Sequence, residues 1–580
     1  MKRSLIGAIL LLLLFSRSAL PQTQPSQPGY PDTILHNGKI VTVDDKSAST
    51  NPGTVVEALA IKDGKITRLG TSGDILALKG PKTNIIDLKG RTALPGIIDT
   101  HSHLHDYAVS HHGAELYPKL TIKANPGETW DSIVNRALAA ISEEVKKRQP
   151  GEWISVDLPR AAIGQDGTML DGSLANRRGL LLTQAALDRV APNNPVHTRA
   201  RTSARLNSKA LEIIKSAGYS PPEELARPED FYVSNSMNRV VAADFLMDLE
   251  NLAQVYRKEH LEWAGYGVTT WSSSIRSTRV LTAHQMLDKR GELPIRFAYG
   301  VMMGNPQMLS LANYSSDFLW NTGAGTSTDS SYPGLYTSVE PPLIPKDIKD
   351  RENPRQGFDK IIEDGVASGL RFVNTHVAGD RALDLVLDAI EKGSARAGLS
   401  PEEIRRKRHA ADHCTMNPRP DQIPRLKRLG MLMSCAPKYI EDTSPKILRD
   451  YGEPYTGWVA PVKSLIDAGV RTVLEIDDHG ISEHGTVFHY LGLLVNREVD
   501  GKVYAGKERI DRVLALKMST IWAAEYVLRE NVLGSLEPGK FADIIVVDKD
   551  YLTIPDKEIG TTKVLLTLVG GKIVHRSEQF

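Results

Sequence analysis

Cysteine is the residue type that this sequence has least of, with two among 580 residues. Two cysteines cannot supply the set of bridges that holds a small secreted disulfide scaffold together. They stand at Cys414 and Cys435, where we expect free, buried thiols. A single disulfide between them is the alternative in an oxidising compartment.

An excess of charge of either sign is also missing. The chain has 71 Lys and Arg against 70 Asp and Glu, which gives a formal net charge of +1. This near-balance offers no electrostatic reason to expect nucleic acid or an anionic membrane surface as a partner. Hydrophobic residues at 41% and charged residues at 24% are ordinary for a soluble globular protein. We therefore expect neither a nucleic-acid partner nor a membrane partner.

Long hydrophobic runs are absent beyond the N-terminus. Lys2 and Arg3 precede an apolar stretch, residues 5–15, which small and polar residues follow. The stretch is too short to cross a bilayer and has the layout of a secretory signal peptide. We expect residues 1–19 to form this signal peptide and residues 20–32, rich in Pro, Gln and Ser, to form a flexible lead-in. The mature protein should then be exported, to the periplasm or to the outside of the cell.

Two distant segments share one layout. Residues 34–43 (ILHNGKIVTV) and residues 564–575 (VLLTLVGGKIVH) each place a glycine-containing turn between β-rich runs, which is a strong hairpin signal. A third hairpin is expected at residues 57–68. We predict a small β-sandwich domain built from both chain ends, residues 33–94 and 530–580.

The residues between these ends alternate strand and helix patterns. Residues 370–376 and 469–477 read as strands, and residues 381–392 carry apolar side chains at helical spacing. Such alternation indicates an α/β fold with a (β/α)8 TIM-type barrel, which we place at residues 95–529. Residues 120–260 are rich in Arg, Ala and Leu and lack comparable strand endings, so we expect a mostly helical insertion there.

Side chains of the metal-ligand type follow the expected barrel strands. His101 and His103 close the run LPGIIDTHSH, and their i, i+2 spacing points both imidazoles to one face of an extended strand. Later strands end in His376, His413 and Asp477. The carboxyl ends of parallel barrel strands meet at one mouth. Nitrogen and oxygen ligands suit zinc, or another divalent ion such as manganese or iron.

Each of these ligands has a simpler alternative. His376 alone could be a core histidine with its hydrogen bonds satisfied. His409 and His413 could share one face of a helix, as in a zinc-protease motif, but Ala410 stands where that motif has its general-base glutamate. Asp477 could cap a helix. The repetition of ligands at successive strand ends favours the metal site.

These motifs resemble those of the amidohydrolase superfamily, and within it amidohydrolase family 3, the group that includes D-aminoacylases and N-substituted formamide deformylases. The resemblance covers nearly all of the chain after the leader. LPGIIDTHSH is similar to the first-strand metal motif of the family, and THVAGDRA at residues 375–382 is similar to its HAxGDRA signature. Two further similarities imply that His413 ends the sixth strand, with Asp412 where glutamate is usual, and that Asp477 ends the eighth. His376 would then end the fifth.

The fourth barrel strand departs from the pattern of the family. Many members carry a lysine there, whose carbamate bridges two metals, just before an Asp-Gly pair. The matching region, residues 317–325, has Phe318 in the place of the lysine and Thr322 in the place of the aspartate. Two close cations without a bridging ligand repel each other. We therefore expect one zinc ion, with two as the alternative.

A second departure precedes the aspartate of the eighth strand. Glu475 and Ile476 stand where Gly and Ser are usual, and a shift of one residue would make Asp478 the ligand. Three further histidines follow the first-strand motif: His105, His111 and His112. We expect solvated loop residues at these positions, with a place at the barrel mouth as the alternative.

The resemblance implies hydrolysis of a carbon–nitrogen bond in an amide, formamide or related acyl group of a small molecule. With one metal on His101, His103, His376 and Asp477, the aspartate could take a proton from the attacking water and pass it to the leaving nitrogen. His413 would polarise the substrate carbonyl or stabilise the oxyanion; with two metals it becomes a ligand of the second. An ester or lactone hydrolase, and a non-catalytic binding protein on an eroded scaffold, are the alternatives. The sequence is compatible with a homo-oligomer.

Overall fold

A computed structural model of the protein describes residues 29–113, 116–159, 161–164, 166–171, 182–200, 203–217, 241–275, 277–303, 313–340, 357–477 and 486–580. The expected signal peptide, most of the lead-in and Asp478 lie outside the described residues. Within those ranges, no helix has both the length and the apolar character that crossing a bilayer would require.

Strands from both ends of the chain form two sheets, as the sequence predicts. A four-stranded sheet has the order Lys65–Gly70, Ala58–Lys62, Thr33–His36, Asn84–Asp87. A six-stranded sheet has the order Lys572–Arg576, Val564–Val569, Ile544–Val547, Thr92–Pro95, Lys39–Val41, Val55–Val56. Leu59 and Ile86 from the first sheet share one buried apolar cluster with Ile544 and Leu568 from the second. The two chain ends therefore stabilise each other through a common core.

Two of the three predicted hairpins form. The strands around Gly64 and those around Gly570 pair antiparallel, and both glycines have the positive φ that a tight hairpin turn requires. The hairpin predicted at residues 34–43 is wrong. The strand before Asn37 lies in the four-stranded sheet, whereas the strand after it lies in the six-stranded sheet. The reason is that both edges of Thr33–His36 are already paired with other strands.

Eight parallel strands form a barrel between these ends. In order they are Ile97–Asp99, Val268–Ile275, Arg296–Met302, Leu319–Gly325, His376–Gly379, Ala410–Met416, Leu432–Cys435 and Thr472–Leu474. Their pairing is parallel throughout, and a bridge between Ala324 and Phe372 joins the fourth strand to the fifth. The backbone N–H of Thr100 donates to the carbonyl of Leu474, which joins the first strand to the eighth. The circle is thus closed, and the α/β, TIM-type architecture is confirmed.

Helices pack around this barrel. They are Leu104–His112, Leu249–Gly265, Thr278–Lys289, Phe358–Ala367, Asp380–Arg396, Pro401–Lys407, Ile423–Leu429, Lys438–Asp442, Ser444–Asp450, Glu453–Thr456, Val462–Asp467, Phe488–Asn496, Arg512–Met518 and Ile521–Tyr526. Shorter elements are the helix Ser72–Leu76, the strands Glu498–Val499 and Lys502–Val503, and the 3-10 turns Gly506–Glu508 and Asp556–Thr561. The helix predicted at residues 381–392 is present, and Leu383, Val386 and Ile390 lie on its buried face.

The described part of the insertion contains strands as well as helices, a mixture that the sequence analysis did not predict. It contains a sheet in the order Ser203–Leu206, Val196–Ala200, Ile154–Leu158, Lys119–Thr121, and an antiparallel pair Ala161–Ile163 with Met169–Asp171. Its helices are Trp130–Val145, Gln184–Val190 and Ser208–Ser216, followed by the π-helix Ala242–Leu246. The run ISVDL alternates apolar and polar residues, which is the period of a strand. The overall Arg, Ala and Leu content favoured helices in the prediction, so this short strand pattern was missed.

Cys414 and Cys435 form a disulfide, which corrects the expectation of free thiols. They lie on the sixth and seventh barrel strands, whose parallel register places His413 beside Cys435. The two cysteine Cα atoms are 4.9 Å apart, within the range that a disulfide spans. The pairing of the strands brings the two residues together, and their spacing along the chain does not reveal it.

Candidate metal centre

The first barrel strand brings two histidines to the carboxyl end of the barrel. His101 and His103 follow Ile97–Asp99, and their Nε2 atoms lie 3.3 Å apart. Zinc–nitrogen bonds of the usual length at a tetrahedral angle separate two nitrogens by about 3.3 Å. The two imidazoles therefore have the spacing of ligands to a single ion.

Asp477 completes a three-residue group with these histidines. One ligand atom from each of His101, His103 and Asp477 lies within 4.8 Å of the other two, and Oδ1 of the aspartate is 3.5 Å from Nε2 of His103. The backbone N–H of Asp477 donates to the carbonyl of His101 over 2.9 Å, and its φ is 44°. Non-glycine residues in that region are often found at functional sites, where the surroundings hold the strained backbone. The closure of the barrel thus positions the third ligand.

His413 lies next to this group, and Glu475 holds it in place. The ring centroids of His413 and His101 are 4.9 Å apart. Oε1 of Glu475 is 2.7 Å from Nδ1 of His413, and the Ser434 hydroxyl donates to the other carboxylate oxygen over 2.6 Å. A carboxylate on Nδ1 fixes the ring and leaves Nε2 as the nitrogen for a metal or a substrate. His413, Glu475 and Asp477 form a second group at ligand spacing.

His376 lies at the edge of the cluster. Its ring centroid is 4.3 Å from that of His413, and its Nε2 is 3.9 Å from Oδ1 of Asp329. Among the described residues, neither group at ligand spacing beside the barrel strands includes His376. Buried Asp329 accepts the backbone N–H groups of Ala378 and Gly379 and so fixes the chain after His376. The structure brings all five predicted ligands together, but it leaves the role of this one as a prediction.

Asp412 is a partner of the site that sequence reasoning did not assign. Its Oδ2 is 2.8 Å from Nδ1 of His101, and the Tyr526 hydroxyl donates to its Oδ1 over 2.9 Å. His101 and His413 therefore each have a carboxylate behind Nδ1, an arrangement typical of histidines that bind metals. The contact could not be read from sequence spacing, because Asp412 is adjacent to His413 but contacts His101 from another strand.

Asp99 joins the ends of the first and eighth strands. Its carboxylate accepts the backbone N–H of His101 and that of Ile476, together with the hydroxyl of Ser102. Burial raises the pKa of Asp99 to about 7, against the effect of these hydrogen bonds. Its position on the last residue of a buried strand was the only sequence signal for this role.

The electrostatics of the centre fit a cation. Burial alone would lower the pKa of His101, yet nearby carboxylates, Asp412 foremost, raise it to about 9. Burial likewise opposes ionisation of Asp477, but Lys438 and the histidines hold the pKa of this aspartate well below its usual range. Lys438 Nζ is 3.1 Å, and the Tyr439 hydroxyl 3.0 Å, from Oδ2 of Asp477. Buried anions need a compensating cation, and these nitrogen and oxygen donors suit a divalent metal.

The fourth barrel strand, Leu319–Gly325, carries no lysine. Phe318 packs under the guanidinium of Arg296, with 4.4 Å between its ring centroid and Cζ. The Thr322 hydroxyl donates to the carbonyl of Tyr299 over 3.1 Å. Neither side chain stands in for the bridging lysine of the family pattern. The expectation of a single metal stays a prediction.

The positions of His105 and His409 differ from two interpretations of the sequence. His105 is buried and stacks on Trp271, with 5.9 Å between ring centroids, so the expectation of a solvated loop residue is wrong for it. His105, His111 and His112 all belong to the helix Leu104–His112. His409 directly precedes the strand Ala410–Met416, which excludes the helical zinc-protease alternative.

Comparisons with known proteins identify a family for this fold and cluster. The sequence model described as the amidohydrolase family matches residues 84–575. N-substituted formamide deformylase of Arthrobacter pascens is 22% identical over 583 aligned residues, which cover 93% of this chain and 97% of that protein. The putative amidohydrolase YtcJ of Bacillus subtilis (strain 168) is 21% identical over 574, covering 93% and 99%. A solved structure, an uncharacterized metal-dependent hydrolase from Pyrococcus horikoshii OT3, has a TM-score of 0.63 at 22% identity, covering 90% of this chain and 99% of that chain. Because the family match spans most of the sequence, the chain belongs to the amidohydrolase family, in its family 3 of metal-dependent hydrolases.

Proposed function

We propose that the protein hydrolyses a carbon–nitrogen, amide-type bond of a small molecule with a metal-activated water. The observation that carries the proposal is the convergence of His101 Nε2, His103 Nε2 and the Asp477 carboxylate at the carboxyl end of the closed barrel. That end is where TIM-type barrels carry out chemistry. We propose one zinc ion on these residues together with His376, and two as the alternative.

A divalent metal at this point supplies Lewis acidity and lowers the pKa of bound water toward neutrality. The residues of the chain provide the remaining steps. Asp477 is held ionised by Lys438, so it is ready to accept a proton from the attacking water. The same lysine disfavours keeping that proton, which Asp477 then passes to the leaving nitrogen.

His413 is placed to act on the substrate carbonyl. Burial alone would lower its pKa, but Glu475 and Asp477 raise it, which favours the imidazolium: one proton on Nδ1 faces Glu475 and the second is on Nε2. An Nε2–H aimed at the carbonyl oxygen stabilises the negative charge that develops there. If a second metal binds instead, the neutral ring becomes its ligand, and the same contact with Glu475 sets the tautomer.

The substrate class follows from the family rather than from the geometry. The relative from Arthrobacter pascens is an N-substituted formamide deformylase, which makes N-substituted formamides the first compounds to test. Esters and lactones present the same carbonyl to the same groups and remain the alternative class. A non-catalytic binding protein is the third hypothesis.

The test compares matched substrates on the zinc-loaded protein. An N-substituted formamide, an N-acyl amine and the ester and lactone of the same acyl groups are assayed side by side. We expect turnover of an amide, and Asp477→Asn should lower kcat by about 10²–10⁴-fold. The control Asp467→Asn alters only an exposed ion pair with Lys463 and should leave kcat unchanged. Turnover of esters alone contradicts the amide assignment, and turnover of neither class favours the binding protein.

We also propose that the mature protein is exported to the periplasm or secreted. The N-terminal apolar segment motivates this, and the Cys414–Cys435 disulfide supports it because such bonds persist in oxidising compartments. Fractionation of cells that express the full chain tests it: the protein should be found outside the cytoplasm with a shortened N-terminus.

A further inference from the structure

A second group of potential metal ligands lies away from the barrel mouth. The helix Leu104–His112 ends in two consecutive histidines and packs against the helix Leu249–Gly265. The facing side chains are His111, His112, Glu259 and Glu262, here called the outer cluster. The helix that begins beside His103 rises about 1.5 Å per residue, so its two ends, and with them the two groups, are about 12 Å apart.

The candidate ligand atoms of the outer cluster lie close enough together to contact one ion. Nδ1 of His111 is 3.1 Å and 2.9 Å from the two oxygens of Glu259. Nε2 of His112 is 3.1 Å from Oε2 of Glu259 and 3.4 Å from Oε2 of Glu262. One ligand atom each from His111, His112 and Glu259 lies within 4.8 Å of the others. Ligand bonds of 2.0–2.2 Å at a tetrahedral angle would separate such atoms by about 3.3–3.6 Å, so the contacts of both histidines with Glu259 would have to open slightly to hold an ion.

Hydrogen bonding alone leaves the outer cluster incomplete. Nε2 of His112 is buried, yet among the described residues no group makes a hydrogen bond of good geometry with it, although a carboxylate oxygen lies 3.1 Å away. A buried polar atom of this kind needs a partner of some sort.

The charge balance of the outer cluster also calls for a cation. Glu259 is 1% exposed, and Glu262 adds a second carboxylate beside it. Burial opposes ionisation of Glu259, and contact with His111 and His112 nevertheless holds its pKa below the usual range. A divalent cation between the two carboxylates would balance their charge directly. The Trp263 indole N–H donates to Oε1 of Glu259 over 3.1 Å and orients the carboxylate, as outer partners of metal ligands do.

We propose that the outer cluster binds a divalent cation of the zinc type through His111, His112, Glu259 and Glu262, as a site separate from the barrel centre. His111 is partly exposed, which gives the ion a path from solvent. The site joins the helix after the first barrel strand to the helix before the second. Since His103 is the N-cap of the first of these helices, the ion would hold the helix that carries a ligand of the centre. Its role is structural.

The proposed outer site affects the interpretation of the number of metal ions bound per chain. Two metals per chain could be a pair in the barrel, or one ion there and one in the outer cluster. Variants separate these cases. His111→Gln/His112→Gln removes both nitrogen ligands of the outer cluster, and His101→Ala removes a ligand of the centre. His489→Gln is the matched control, because it breaks a His–Glu contact, with Glu441, in which neither residue is a proposed ligand of either group.

The experiment measures zinc per folded chain by elemental mass spectrometry, after loading with Zn²⁺ and desalting. We expect two zinc ions in the unchanged protein and in His489→Gln, one in His111→Gln/His112→Gln, one in His101→Ala, and none in the combined variant. If the double glutamine variant keeps the full metal count, the proposal is wrong. The proposal is also wrong if the unchanged protein holds a single zinc ion and only His101→Ala removes it. The outer cluster would then be a set of ion pairs without a metal.

A second experiment tests the proposal even if the double glutamine variant fails to fold. Glu262→Gln removes one partly exposed oxygen ligand and leaves the buried residues in place. It should weaken Zn²⁺ binding at one of the two sites and reduce the rise in melting temperature that added Zn²⁺ causes in the unchanged protein. An unaltered titration and an unaltered rise would contradict the proposal. Amide turnover is measured separately, so loss of the outer ion and failure of the proposed function remain distinguishable.

Discussion

Single carboxylates set the orientation of the imidazoles in the barrel centre. Asp412 faces Nδ1 of His101 and Glu475 faces Nδ1 of His413, so each ring presents Nε2 toward the shared space. Asp412 lies on the sixth strand and Glu475 follows the eighth, so each contact joins barrel strands that are not neighbours in the sheet. The affinity for a metal should therefore depend on residues that do not bind it.

Substitution of Asp412 tests this dependence. Asp412→Asn keeps the shape of the side chain and its contact with Tyr526 but removes the charge behind His101. We expect zinc affinity to fall by about 10–100-fold, measured by competition with a chelator. Asp467→Asn at the surface serves as the control, and equal affinities in the two variants would contradict the proposed role.

The candidate ligands could be proposed from the sequence, and the structure brings them together, whereas their partners could not be proposed. His101 and His103 are recognisable because they share one short motif, and His376, His413 and Asp477 because each ends a strand pattern. Asp412 and Glu475 looked like replacements for the usual residues of those motifs. Their contacts join the ends of strands that are not neighbours in the barrel, and a single sequence does not state which strand ends face each other.

At the scale of elements, the disulfide ties the sixth barrel strand to the seventh. Cys414 directly follows His413, and Cys435 ends the strand before Lys438. The bridge closes a loop of 21 positions, and a cross-link over a loop of this length contributes on the order of 3 kcal/mol. It thereby holds two of the strand ends that surround the centre.

Reduction of the disulfide should lower the melting temperature by several degrees. The comparison is between the oxidised and the fully reduced protein at the same zinc concentration. Cys414→Ala/Cys435→Ala is the control, since its melting temperature should not respond to reductant. Equal melting temperatures for the oxidised and reduced forms of the unchanged protein would rule out a stabilising role.

Elements with a strong local pattern were predictable. The helix Asp380–Arg396 shows its buried face directly in the spacing of Leu383, Val386 and Ile390. The turn at Asn37 is equally clear in sequence. The sheet that each flanking strand joins depends, however, on pairing with strands that are distant along the chain. The strands of the insertion are short, and their alternation was outweighed by a composition that favours helices.

At the scale of the whole molecule, one buried ion pair joins the barrel to the terminal sheets. Arg296, at the start of the third barrel strand, donates from Nε and from a terminal nitrogen to the two oxygens of Asp543, over 2.7 Å and 2.9 Å. Its guanidinium lies between the rings of Phe318 and Phe541. Asp543 also accepts the backbone N–H of Gly570. The pair is 0% and 6% exposed on its two sides, so solvent cannot replace either partner.

Loss of one member of this pair should destabilise both parts of the molecule. Asp543→Asn leaves a buried guanidinium without its counter-charge, at a cost of about 3–5 kcal/mol. We expect a lower melting temperature and a smaller yield of folded protein. The surface pair altered by Asp467→Asn should cost no more than about 1 kcal/mol. Indistinguishable melting temperatures for these two variants would show that the junction does not depend on the pair.

The sheet made from both chain ends has a consequence for synthesis. Leu94 pairs with Ile545, 451 positions later (545 minus 94). At a translation rate of about 5–20 residues per second, the strand that contains Leu94 waits about 20–90 s for its partner. During that time its edge is open to other chains, which is the situation in which strands aggregate. We therefore expect this edge to need protection until the last residues of the chain are made, and a chain that terminates before Ile544–Val547 would lack the strand that covers it.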